Sequence, residues 1–284
     1  LAGAYPLPVN FRESDALFRR DLDHLPEVAH TAAEFGCTRC VTWVLPYHDE
    51  LTFPENFELH RERLGECARI LDLNGARLGL EFVGVTTMRE ARQHDFIYDL
   101  KGILELCKVI DARNVGVLLD SFHWYASGST PEQLEAELAQ EMIVYVQVSD
   151  APADVPRGEQ RDERRALPGA TGVIDLTGFL GALRVKGYAG PVTATPLAAE
   201  LRELPAEDVL RQVAAALARG TGWFTLDGTA GHLKHLVLWL AFLGGLLATR
   251  EDRQLRLSTA EFIPAGRLRA LVTVLTSGFS AAVC

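Results

Sequence analysis

The chain has 284 residues, 48% of them hydrophobic and 23% charged, with a mean hydropathy of +0.06, which is the profile of a soluble, enzyme-sized protein with room for one large domain. A formal net charge of -10, an isoelectric point near 5.3 and the lack of any Lys or Arg run argue against a nucleic-acid surface and for a small-molecule ligand. Five cysteines, an odd number, do not make a disulfide framework, so a reducing cytoplasm is the expected compartment.

No secretory leader is legible, and Leu at position 1 carries the expectation that the natural start lies upstream. Leu25 to Phe35 reads as a helix with Pro26 in its first turn and Gly36 at its end, followed by the buried strand Cys40 to Leu45. Cys37 and Cys40 form a CxxC across that junction, either a redox or zinc pair or two buried small apolar side chains, and the second reading is preferred. Phe57 to Leu73 is predicted helical, stopped by Asn74-Gly75, and feeds the strand Arg77 to Gly84, RLGLEFVG. Asp99 to Ile110 is predicted helical, with Leu100, Ile103, Leu104, Cys107 and Ile110 on one face, and feeds the stretch Asn114 to His123, NVGVLLDSFH.

Thr130-Pro131-Glu132-Gln133 has capping-box spacing and opens the next helix, which leads to the strand Met142 to Val148. Asp175 caps a helix that ends at Gly187, Pro191 to Thr195 is one more strand, and Leu204 to Ala218 a final helix. Strands apolar on both faces, each followed by a helix, imply a parallel sheet. The pattern is that of an α/β TIM barrel, whose working face is the C-terminal ends of its strands. Glu81, Asp120, Asp150 and Thr195 all fall at that face.

Glu81 and Asp120 stand out chemically. Each is a carboxylate at the end of an otherwise apolar strand, and burying one costs several kcal/mol or more unless a cation or hydrogen-bond donors compensate it. On neighbouring parallel strands, about 4.8 Å apart, the two would come within reach of one cation. The plainer alternative is two acids just past their strands, solvated or capping the next helix.

The ordered segments GLEFVG, NVGVLLDSFHWYASG, YVQVSDAP, DERRALPGATGVIDL and GYAGPVTATP resemble the xylose-isomerase-like sugar phosphate isomerase/epimerase superfamily, nearest to its branch in inositol catabolism. The likeness runs from about Leu1 to Ala218, which divides the chain into a partial barrel, 1–219, and an extension, 220–284. It implies a small sugar, sugar phosphate or inosose as substrate and a divalent cation, manganese, magnesium or zinc, held by Glu, Asp, His and a second Glu from successive strand ends. By position Glu81 and Asp120 match the first two ligands, and His123 and Arg165 match residues that contact substrate oxygens.

Two positions depart from the family pattern: Gln147 stands where the histidine ligand is expected and Thr195 where the second glutamate is expected. A glutamine carbonyl is a weak neutral ligand, and a threonine hydroxyl supplies neither charge nor a base near neutral pH, so the cation is expected to be weakly held or lost. Asp150 and His48 are the candidate substitute ligands, against the plainer readings of a loop cap and a solvent-facing ring. In the family's chemistry the cation polarises a carbonyl, a carboxylate removes the alpha proton, and donors hold the enediolate. Epimerisation needs acid/base groups on both faces of the carbon, and Thr195 removes one, whereas Glu81 alone still serves isomerisation on a single face. The rival expectation is a sugar-binding pseudoenzyme that keeps the pocket without the cation. A zinc-dependent endonuclease of the same superfamily would need more histidines and a cationic surface.

Leu1 to Val9 matches the end of the family's third strand, so the first two strand-helix units are expected to be missing. Within the extension, Leu236 to Ala248 is apolar but shorter than the roughly 20 residues of a membrane span, and is read as a helix packing on the open barrel. Leu255 to Thr259 and Leu268 to Leu275 read as strands, and nothing in the sequence excludes an oligomer.

Overall fold

The computed structural model describes residues 3–198, Leu201 and 203–221; the readings made for the segments between Leu236 and Leu275 lie outside the described residues. Six parallel strands form one open, twisted sheet in the spatial order β1 (Tyr5–Pro6), β2 (Arg39–Val44), β4 (Arg77–Phe82), β6 (Val115–Asp120), β7 (Ile143–Val148) and β8 (Val192–Ala194). A separate two-stranded antiparallel ladder pairs β3 (Tyr47–His48) with β5 (His94–Asp95). Helices α1 (Asp15–Glu34), α2 (Phe53–Asp72) and α3 (Leu100–Ile110) pack one against the next, and α5 (Pro131–Glu137), α6 (Leu176–Val185) and α7 (Ala206–Thr221) continue the series.

The strand-helix alternation is the predicted one, with boundary shifts that have local causes. Helix α1 starts at Asp15, ten residues before the predicted Leu25, because the Ser14 side chain caps the Leu17 amide and Phe18, Leu22, Leu25 and Ala29 make a continuous buried stripe. Pro26 therefore lies inside the helix, where its missing N–H costs about 3 kcal/mol. The stripe continues on both sides of it, and packing wins. Helix α2 starts at Phe53, with Thr52 and Glu55 as a reciprocal capping box and a proline in the first turn. The capping boxes at Thr130 and the caps at Asp99 and Asp175 sit where the sequence puts them. His123, just beyond the strand, lies in a short helix, α4 (Ser121–Ala126), with Asp120 as its cap.

Alternate residues of each strand face the helices or the concave side. Leu78, Leu80 and Phe82 join the main core, and Val115, Val117 and Leu119 do the same one strand further on. On the other face Ala4, Leu118 and Tyr145 cluster with Val41 as a small apolar layer. The register between β6 and β7 slips there: Val117 pairs with Ile143 and Leu118 with Tyr145, so Val144 is an extra residue, a bulge. Its side chain lies over two glycines. A methyl group on Gly79 would come 3.2 Å from Val144 Cβ, and one on Gly116 would come 3.0 Å from Val144 Cγ2 and collide with the Met142 carbonyl. Cys40 is buried with its thiol pushed well up by burial, as a small core side chain would be, and the four described cysteines, Cys37, Cys40, Cys67 and Cys107, are free.

Candidate active site

Above the apolar layer, the C-terminal ends of the strands converge. Asp120 and Gln147 are register partners on β6 and β7, and Thr195 extends the last strand by one bond, its amide donating to the Val148 carbonyl at 2.9 Å. Asp120 is buried and uses both oxygens. Oδ1 accepts from the Phe122 and His123 amides at 2.7 and 3.4 Å, which caps α4, and Oδ2 accepts from Arg165 Nη1 at 2.7 Å and from Thr195 Oγ1 at 3.2 Å.

Arg165, 5% exposed, enters from the loop after β7. An arginine only donates, through five N–H groups, and here all five have acceptors. Nη1 reaches Asp120 Oδ2 and, at 3.3 Å, Thr195 Oγ1; Nη2 reaches Asp162 Oδ1 at 2.5 Å and His123 Nε2 at 3.0 Å; Nε reaches the Asp162 carbonyl at 3.1 Å. The guanidinium also lies over the Phe122 ring, 4.8 Å from its centroid. Burial works against this charge, but Asp120 and Asp162 more than offset it, and the group is held above its ordinary pKa.

Glu81 is the acid not bonded to Arg165. It is buried on β4 beside its register partner Trp43, with which it forms a side-chain hydrogen bond, and Oε1 is 3.7 Å from His123 Nε2. Desolvation first, and the Asp120 charge second, push its carboxyl well above the usual range. Burial and then Arg165 lower His123, whose ring is therefore neutral and accepts from Nη2.

Glu81, Asp120, His123, Arg165 and Thr195 are thus brought together, with Gln147 alongside Asp120. The two substitute ligands lie elsewhere in the bonding pattern. The Asp150 carboxylate accepts from the amides of Ala151, Thr171, Gly172 and Ile174, and so organises its own loop. His48 Nδ1 accepts from the amides of Glu50 and Leu51, anchoring the turn after β3. Two residues escaped the sequence reading. Trp43, 54% exposed, shares the Glu81 face by the period of two in its strand. Asp162 sits in an irregular charged loop with no pattern to mark it.

The donors as placed do not fit a divalent cation. Asp120 is ion-paired to Arg165, Thr195 and Gln147 are neutral, and among the described residues no three His, Cys, Asp or Glu side chains form a metal-binding group.

Gly84, two residues beyond β4, lets the backbone touch α4: a methyl group there would collide with the His123 carbonyl oxygen and crowd the Ser127 amide. Gly84→Ala is expected to destabilise the chain by about 1–3 kcal/mol in urea unfolding by displacing α4. An unchanged midpoint would show that α4 is free to move.

The model of the xylose isomerase-like TIM barrel family matches residues 1–219. Inosose isomerase of Bacillus subtilis is 32% identical over 153 residues, 52% of this chain and 50% of that protein, so the chain spans about half the length of this curated relative. A xylose isomerase domain protein from Alicyclobacillus acidocaldarius superposes with a TM-score of 0.68 at 32% identity, covering 78% of this chain and 77% of that one. The IOLI protein, whose crystal structure holds a zinc atom, superposes with a TM-score of 0.67 at 24% identity over 78% of this chain and 77% of its own, a likeness of fold. By the family match over its first 219 residues and the parallel strand-helix architecture that carries it, the chain belongs to the xylose isomerase-like TIM barrel family.

Proposed function

We propose that the concave face over Glu81 binds a small keto-sugar, sugar phosphate or inosose and isomerises it. In the reaction, Glu81 as the carboxylate takes the proton alpha to the carbonyl, and an enediolate forms. A proton passes from the adjacent hydroxyl to the former carbonyl oxygen, and the Glu81 carboxyl returns its proton to the former carbonyl carbon, leaving the new carbonyl at the adjacent position. The observation that carries this reading is a buried glutamate, unpaired with arginine, beside the exposed Trp43 ring and the neutral His123. A carboxyl raised toward neutrality both takes and returns protons efficiently. Single-face transfer needs no partner at Thr195, so isomerisation is favoured over epimerisation. The inosose isomerase relative supplies the substrate class, and a reducing cytoplasm is the compartment proposed with it.

A second reading, a sugar-binding protein without turnover, draws support from Gln147 and Thr195 at the positions of the expected ligands. Proton NMR in heavy water separates the two. Under the isomerase reading, an inosose or ketose exchanges its alpha proton in the presence of the chain. Glu81→Gln then slows exchange by about 10²–10⁴-fold while calorimetric ligand affinity changes little. Binding without exchange favours the second reading, and neither binding nor exchange across inososes, ketoses and their phosphates rejects both.

A further inference from the structure

The family's cation site and this chain's side chains disagree, and the disagreement has a definite form. Arg165 is not a surface cation that happens to lie near an acid. Its guanidinium gathers Asp120, Asp162, His123 and Thr195 around one centre, through contacts of 2.5 to 3.3 Å, with the Asp162 carbonyl completing the set. Two carboxylate oxygens, one imidazole nitrogen and one hydroxyl, from β6, the loop after β7, α4 and the end of β8, converge on a positive group as ligands converge on a metal. The two family ligands that would compete for that centre are absent: Thr195 contributes a hydroxyl that fits between Arg165 and Asp120, where a glutamate would bring a further charge.

We infer that Arg165 is the built-in cation of this cavity, holding the strand ends together where relatives of the fold use a divalent metal, and that this chain is independent of metal. The inference is separate from turnover. It concerns what occupies the centre, so it stands or falls whether or not a sugar is isomerised.

The energetic logic is one of exclusion. Asp120 is buried and its Oδ2 is already neutralised at 2.7 Å, so a divalent ion would have to displace a fully hydrogen-bonded guanidinium or share the carboxylate with it, leaving two cations in contact.

Manganese binding, followed by calorimetry and by thermal melts after treatment with a chelator, tests this. The unmodified chain is expected to show no stoichiometric manganese uptake and no change of melting temperature with manganese or EDTA. Arg165→Met is expected to melt at a lower temperature, to bind manganese about a hundredfold more tightly and to be re-stabilised by it, since the freed Asp120 and Asp162 then lack a cation. Should Arg165→Met fail to fold, Arg165→Lys keeps the inference testable: it retains a positive charge but not the five-donor fork, and is expected to melt lower and to bind manganese more tightly than the unmodified chain. Tight stoichiometric manganese or zinc in the unmodified chain, or the same manganese affinity with and without Arg165, overturns the inference. Loss of sugar exchange with metal behaviour as expected would overturn only the proposed isomerase.

Discussion

Asp120→Ala will lower the free energy of unfolding by about 3–5 kcal/mol, because it leaves the Arg165 charge buried without its nearest partner. The side chain does two jobs at once: it neutralises Nη1 at 2.7 Å and caps α4 through the amides of Phe122 and His123. Loss of the cap alone accounts for about 1 kcal/mol, so most of the effect belongs to the uncompensated guanidinium. Asp162 remains on Nη2 and keeps the loss from being larger. Removing both charges, in Asp120→Leu with Arg165→Met, should recover most of the stability, since apolar groups of similar size replace a buried pair at little cost. Urea unfolding of the three proteins provides the check. If the single variant loses less than about 1 kcal/mol, the pair is solvated in solution and the compact arrangement around Arg165 is wrong.

The acid limb of stability will depend on His60. This histidine is fully buried in α2 between the rings of Phe11 and Phe96 and bonds the Asn56 carbonyl at 2.8 Å, a contact in which Nδ1 must be the donor. Nε2 is buried with no protein partner among the described residues, and Arg12, His48 and Arg63 oppose a further positive charge. Burial, the largest cause, lowers the ring from 6.5 to about 3. The unfolded chain takes up this proton below 6.5, whereas the native chain does not until about 3. His60 therefore contributes no pH dependence above 6.5 and a loss of about 1.4 kcal/mol per pH unit as pH falls through that window. Between pH 7.5 and 4.5 the unmodified chain should lose about 2–3 kcal/mol more than His60→Gln. Parallel stability curves for the two would show that His60 is solvated.

The elements most legible in the sequence are those set by local chemistry. Capping signals at Thr130, Asp99 and Asp175 and apolar strand runs placed β4 and β7 to within two residues and β6 to within three, and equivalent positions at parallel strand ends brought Asp120, Gln147 and Thr195 together. Less legible was anything decided by a loop's tertiary fold. Arg164 and Arg165 are adjacent in sequence and identical in type, yet one is exposed and the other buried at the centre of the site. Only the surrounding acids Asp120 and Asp162 distinguish them. Helix α4 was hidden because its cap, Asp120, was read first as a metal ligand, and a carboxylate that caps a helix looks the same in one dimension as one that binds an ion. The start of α1 was missed through a rule that usually holds: Pro26 marks a first turn unless an apolar stripe continues on both sides of it.

Val144 gives the sheet a change of reading frame. Strict alternation would send Val144 and Tyr145 to opposite faces, yet both lie on the concave side, and from Tyr145 onward every second residue, Gln147 included, is set one step out of phase with Ile143. Gly79 and Gly116 are the vacant beats that admit the extra side chain. The partnership of Asp120 with Gln147 is thus decided three residues below the site, by a valine and two glycines that touch no part of its chemistry, and these three positions can change in evolution only as a set.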